Sequence, residues 1–142
     1  MLFEIANPIA LAGWLALAFA PLAPRLAGIA GGVIAPLILS VGYTAIVLAF
    51  WHSAEGGFTS LPSVAQLFES QWLLLAGWVH FLAFDLIVGA WELRTARREN
   101  IPHLILLPCL LVTFLFGPAG YLLFQAIRAS LRATRTSAGA PA

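Results

Sequence analysis

Within GWVHFLAFDLIVGAWE, residues 77–92, one histidine and two carboxylates interrupt an apolar, aromatic-rich run. Imidazole and carboxyl groups exchange protons, which is the raw material of acid/base catalysis. An ionisable group in a bilayer-length apolar segment costs about 2.5–3.5 kcal/mol on insertion scales, so it reads as a functional site first. If the run is helical, Trp78, Asp85 and Glu92 fall seven apart on one stripe, with Phe81 and Val88 beside it. His80 sits about 140° around the axis from Asp85 at 100° per residue, so the two do not pair directly. They border one cavity only if the helix has neighbours on both sides. Partners for Asp85 must come from elsewhere, and the candidates are Asn7, Arg25, Tyr43, Thr44 and Thr113. The competing reading makes Asp85 and His80 structural, hydrogen-bonded between helices. Glu92, next to Arg94 and Arg97, reads as a solvated end-of-helix charge, and His52 and His103 read as interfacial.

Other chemistries lack their residues. No HxxH, ExxH or cysteine cluster suggests a metal, and no glycine-rich phosphate loop, GxSxG elbow or CxxC is present. The 142 residues are 61% hydrophobic and 9% charged, with a mean hydropathy of +0.95, which excludes an ordinary water-soluble domain. A net charge of +1 carries no nucleic-acid footprint, and Cys109, the sole cysteine, excludes an intrachain disulfide. Glu4 as the first charge is wrong for the basic start of a secretory signal.

The elements that must position these residues are membrane-length helices. A first span starts at Leu2 or Pro8, with Asn7 as N-cap, and ends near Ala20 before Pro21 and Pro24. A second runs from Gly28 to Trp51, with Gly28, Gly31 and Gly32 permitting close helix approach and Pro36 as a kink. Residues 52–70 form a polar connection in which TSLPSVAQLFES suits a short amphipathic helix on the membrane surface. A third span covers Trp72–Trp91. A fourth runs from Leu104 to Ile127 and is either kinked or broken at Gly117-Pro118. The expected fold is therefore all-α, a single domain over residues 1–130 with four transmembrane helices and one interfacial helix, followed by a disordered tail at 131–142. Four spans put both termini on one side, and the seven arginines divide almost evenly between the two sides, leaning weakly to cytoplasmic first and third loops.

The blocks ANPIALAGWLALAFAP, LPSVAQLF, GWVHFLAFDLIVGAW and PHLILLPCLLVTFLFGPAGYLL together resemble the ABA4-like family, over Ala6 to about Arg128. Its members are four-span membrane proteins, and its plant members are associated with making neoxanthin from violaxanthin. The sequence departs from the plant-like motif at Ala90, where an arginine is expected, and at Thr95, where an acid is expected. The all-arginine, alanine-rich composition points to a bacterial member, in the inner membrane.

The resemblance implies a carotenoid or other isoprenoid held between helices. It also implies an acid/base isomerisation of the epoxide-opening or cyclisation type, without a cofactor and without a metal. Asp85 and His80 match the family motif and are the expected catalytic pair, either one being acid or base. Trp78, Phe81, Phe84, Tyr43, Thr113 and Gly117 are the expected substrate-binding residues. The alternative is a non-catalytic pigment- or lipid-binding subunit, packing as a homo-oligomer or within a larger membrane complex. A transporter or proton-relay role has less room in four spans. The lipid bilayer and an isoprenoid ligand are the expected partners, and no nucleic acid is expected.

Overall fold

The computed structural model describes residues 2–138, which form six helices and no strand. Helix α1 is Leu2–Ala18, α2 is Pro24–Ser53, α3 is Leu61–Leu67, α4 is Gln71–Arg98, α5 is His103–Phe116 and α6 is Pro118–Ala138. Only α2 and α4 are both long and apolar enough to cross a membrane, which corrects the expectation of four such helices. Helix α1 has 17 residues and α5 has 14, both apolar and both shorter. At 1.5 Å per residue, α4 is about 42 Å long and α5 about 21 Å.

Local sequence explains most of these elements. Pro8 lies inside α1, and Asn7 is not its N-cap: Asn7 Nδ2 donates to the Phe3 carbonyl one turn back. In α2 the turns Ala27–Ile34 are π-helical and end two residues before Pro36, whose missing N–H removes an ordinary i→i−4 bond. Gly31 in these turns packs on α1, where a Cβ would come within 2.6 Å of the Gly13 carbonyl oxygen. The short α3 is capped as its sequence suggests, with Ser60 Oγ accepting from the Ser63 N–H at 3.2 Å.

Helices α1 and α4 run parallel, with α2 antiparallel to both. The pairs are Trp78 with Asn7, Gly89 with Trp14, Tyr43 with His80 and Phe50 with Trp72. The end of α1 has no glycine cap. The Ala18 carbonyl is met instead by His103 Nε2 at 2.8 Å, and in the turn that follows Arg97 donates to Ala20 O at 3.3 Å and to Pro24 O, at the start of α2, at 3.4 Å. The main core gathers Trp14, Leu17, Leu86, Leu93, Leu106 and Phe124 between α1, α4 and the last two helices.

The fourth expected span is a hairpin. Helix α5 runs antiparallel to α4, with Thr113 beside Glu92; the chain then turns at Gly117, φ 42°, and α6 returns alongside. Tyr121 and Phe124 of α6 reach Trp91 with ring centroids 5.4 and 5.6 Å away. Farther along, Arg128 and Arg132 bond the Glu99 carboxylate, and Arg135 bonds the Glu99 carbonyl at 2.7 Å. Helix α6 therefore ends beside the start of α5. Leu2 and Ala138 consequently lie at opposite ends of the bundle, where four full crossings would have put them together. Residues 131–138 continue α6 in place of the expected disordered tail, and the rest of that tail, 139–142, lies outside the described residues.

Candidate functional site

Asp85 lies on the inner face of α4 and is 7% exposed. Its Oδ2 is buried with no hydrogen-bond partner among the described residues. The carboxyl is aimed at the hairpin turn: a Cβ on Gly117 would collide with Oδ1 and stand 3.1 Å from Oδ2. Gly117 is thus required twice, by its positive φ and by the carboxyl above it. A buried polar atom left unpaired costs about 1–3 kcal/mol.

Two turns along the stripe, about 10 Å away at helical rise, Glu92 is fully buried. Thr113 Oγ1 donates to it, 2.9 Å from Oε1 and 3.1 Å from Oε2. This corrects its assignment as a solvated end charge. Helix α4 continues to Arg98, so Trp91 is not its interfacial end but a packing partner of α6. The sevenfold spacing from Asp85 was the signal that could have found Glu92. Another seven residues on, Glu99 marks the arginine-rich end, where Arg128 and Arg132 pull its carboxyl down to about 2.

His80 is not brought to Asp85. It is exposed on another face of α4, stacked on Phe84 at 4.4 Å between ring centroids and 5.3 Å from the Tyr43 ring. The 140° offset holds in three dimensions: His80 meets the Tyr43 and Phe84 rings, whereas the Asp85 carboxyl meets the hairpin turn at Gly117. The expected residues thus divide into two groups. Thr113 and Gly117 stand with the carboxyls, while Tyr43, His80 and Phe84 form an aromatic cluster away from them.

Trp78 and Phe81 belong to a third feature. A recess of about 1010 Å³ between the starts of α1 and α4 is lined by Leu2, Phe3, Phe68, Trp72, Trp78 and Phe81, among others. At Trp78 and Phe81 it meets a second recess, of about 450 Å³, which includes Leu11, Leu82, Phe114 and Leu115. At Leu11 and Phe114 that one meets a third, of about 390 Å³, reaching Ala18 and Leu107. The three recesses lie in series along the flank of α1 from Leu2 to Ala18, and this row, about 25 Å long at helical rise, is the apolar groove of the molecule. Trp78 Nε1 is fixed over it by donating to Asn7 Oδ1 at 2.9 Å. Asp85 lies behind this wall, one turn from Leu82 and two residues of hairpin tip beyond Leu115. Among the described residues no three histidine, cysteine or acidic side chains gather as metal ligands.

The sequence model of a family described as ABA DEFICIENT 4-like matches residues 1–124, a stretch that contains the groove, Asp85, Glu92 and the hairpin turn. No curated protein and no solved structure matches the chain.

Proposed function

The chain belongs to the ABA4-like family, and from that premise we propose that it is a membrane-embedded protein that binds a long isoprenoid, of the carotenoid class, and isomerises it by proton transfer at Asp85. The observation that carries this reading is the apolar recess beside α1 that abuts the hairpin arm at Phe114 and Leu115, two residues from the Gly117 turn that covers an unpartnered buried carboxyl. Elongated apolar ligands bind in such apolar, aromatic-lined clefts with few polar groups.

Embedding in a bilayer is supported by the outer surface. Leu11, Leu15, Leu37, Val41, Leu111 and Leu115 are all about half exposed or more, on the outward faces of three helices. A belt of this extent on a water-soluble monomer is an association or membrane surface. The two long apolar helices and the family point to the membrane.

For an epoxide substrate, a protonated Asp85 gives its proton to the oxygen as the carbon–oxygen bond breaks. The resulting carboxylate removes a proton from a neighbouring vinylic carbon, and the electrons of that C–H bond form the new allenic double bond. One proton is given and one taken, so the carboxyl is restored without oxidant or reductant. This cycle does not need His80, which faces elsewhere. It does need Phe114 and Leu115 to yield, because the tip separates groove from carboxyl.

The experiment is expression in cells supplied with different carotenoids, followed by chromatography of the pigments in the cells and on the purified protein. A co-purifying carotenoid together with a mass-neutral product is the expected result. A pigment retained but never altered favours the second reading, a carotenoid-binding subunit, for which the groove alone suffices. Neither pigment nor product would overturn both.

A further inference from the structure

The hairpin gathers every arginine at one end of the bundle. Arg25 opens α2, Arg94, Arg97 and Arg98 close α4, and Arg128, Arg132 and Arg135 follow on the returning α6. Glu99 is the one acid among them, which leaves a side-chain charge of +6. Glu4, Glu55 and Glu69 lie at the opposite end with −3, and Asp85 and Glu92 are buried between, which accounts for the chain's net +1.

The arginines at this end are of two kinds. Arg97 bonds the turn after α1, and Arg128 and Arg132 hold Glu99 while Arg135 bonds the Glu99 and Asn100 carbonyls. Arg25, Arg94 and Arg98 are exposed and have no hydrogen-bond or ion-pair partner among the described residues. Arg94 and Arg98 share one face of α4 at i and i+4. Arg94 lies along α2, its guanidinium nitrogen 3.5 Å from where a Cβ on Gly32 would stand. Arg25 follows Pro24, whose carbonyl Arg97 binds. Gly28, between Arg25 and Gly32, leaves open space, with nothing within 4 Å of a Cβ there.

We infer that Arg25, Arg94 and Arg98 form a docking face for the phosphates of anionic phospholipids, and that this face fixes the molecule in one orientation, with the arginine end at the cytoplasmic leaflet. The inference rests on the membrane reading above but not on any reaction. Charge complementarity identifies the occupant. No acidic side chain among the described residues is left to neutralise these three groups, guanidinium forks suit phosphate oxygens, and the surface they face in a bilayer is the negatively charged cytoplasmic leaflet. The opposite end, carrying −3, suits the outer side. The hairpin is what makes the asymmetry possible, because a full fourth crossing would have carried Arg128, Arg132 and Arg135 to the far end.

The test is native mass spectrometry of the detergent-purified protein with phosphatidylglycerol or phosphatidylcholine added, and with inorganic phosphate as the free-anion control. Phosphatidylglycerol is expected to be retained and phosphatidylcholine not. Each arginine of the three neutralised is expected to weaken retention about fivefold, so R25Q/R94Q/R98Q loses it, while R132Q, whose charge is already spent on Glu99, keeps it. Equal retention of both lipids, or no effect of the triple substitution in a protein that still melts at the wild-type temperature, overturns the inference. Competition by inorganic phosphate alone assigns the site to a free anion and overturns it too. In spheroplasts, with Cys109→Ser as background, a membrane-impermeant maleimide should label Thr59→Cys from outside and Thr134→Cys only after permeabilisation. The reverse pattern overturns the orientation. Recovery of the protein in the soluble fraction would instead sink the membrane reading itself, a result distinct from every one of these.

Discussion

Replacing Gly120 with alanine tests the hairpin most sharply. A Cβ at that position would collide with Thr113 at three atoms, two of them the backbone nitrogen and Cα, so no rotamer change relieves it. The arms of α5 and α6 must separate. Overpacking in a filled interior costs about 1–3 kcal/mol, and a clash with backbone belongs at the top of that range. Thr113 is also the residue that donates to the fully buried Glu92, and moving it leaves that carboxyl unpaired, adding about 1–3 kcal/mol. A total of about 4–6 kcal/mol should lower the apparent melting temperature in detergent by roughly 8–24 °C for a chain of this size. Gly28→Ala is the matched control. Nothing lies within 4 Å of its Cβ, and it should leave the midpoint unchanged or raise it slightly, since alanine is the better helix former. The assay is static light scattering or tryptophan fluorescence against temperature for the two variants and the parent. Gly120→Ala melting with the parent would refute the hairpin, because a straight fourth helix has no such contact.

Two further outcomes follow from the same residues. Thr113→Val keeps the volume and removes the donor to Glu92, and should cost about 1–3 kcal/mol of stability, with Thr113→Ser recovering most of it. The second concerns pH. Glu99 has its carboxyl held down to about 2 by Arg128 and Arg132, against an ordinary 4.5. A group whose pKa is lowered by folding stabilises the native state above its unfolded pKa and loses that contribution as pH falls through the folded value. Melting temperature should therefore be insensitive to this group above about 4.5 and fall between 4.5 and 2. Glu99→Gln should flatten that part of the curve, and a parent curve identical to the Gln variant's would contradict the clamp.

The parts of this fold that were legible in the sequence are those set by local pattern. The apolar runs gave α2 and α4, and Ser60 with Pro62 gave α3 and its cap. Asp85 stood out because it interrupts a helix otherwise committed to apolar surroundings. What failed was depth. A span that ends at Trp91 leaves Glu92 beside arginines as a solvated charge, yet the Trp91 indole is roofed by Tyr121 and Phe124 of a helix whose direction sequence does not encode. Gly117-Pro118 announced a break but not its angle. The angle brings Gly120 against Thr113, a close contact across the turn that is visible only once the two arms are in place. His80 is a different case: its offset from Asp85 was correct, and that offset sets it against Tyr43 and Phe84 while Asp85 meets Gly117.

The central claim is that the Asp85 carboxyl is the proton donor and acceptor for an isoprenoid held in the groove beside it. The most direct measurement is the product yield of Asp85→Asn, at matched expression, on the carotenoid that the parent converts, with His80→Gln measured alongside. The account predicts no product from Asp85→Asn while pigment still co-purifies, and near-parental product from His80→Gln. Product from Asp85→Asn at the parental rate, or its loss on His80→Gln alone, would contradict it.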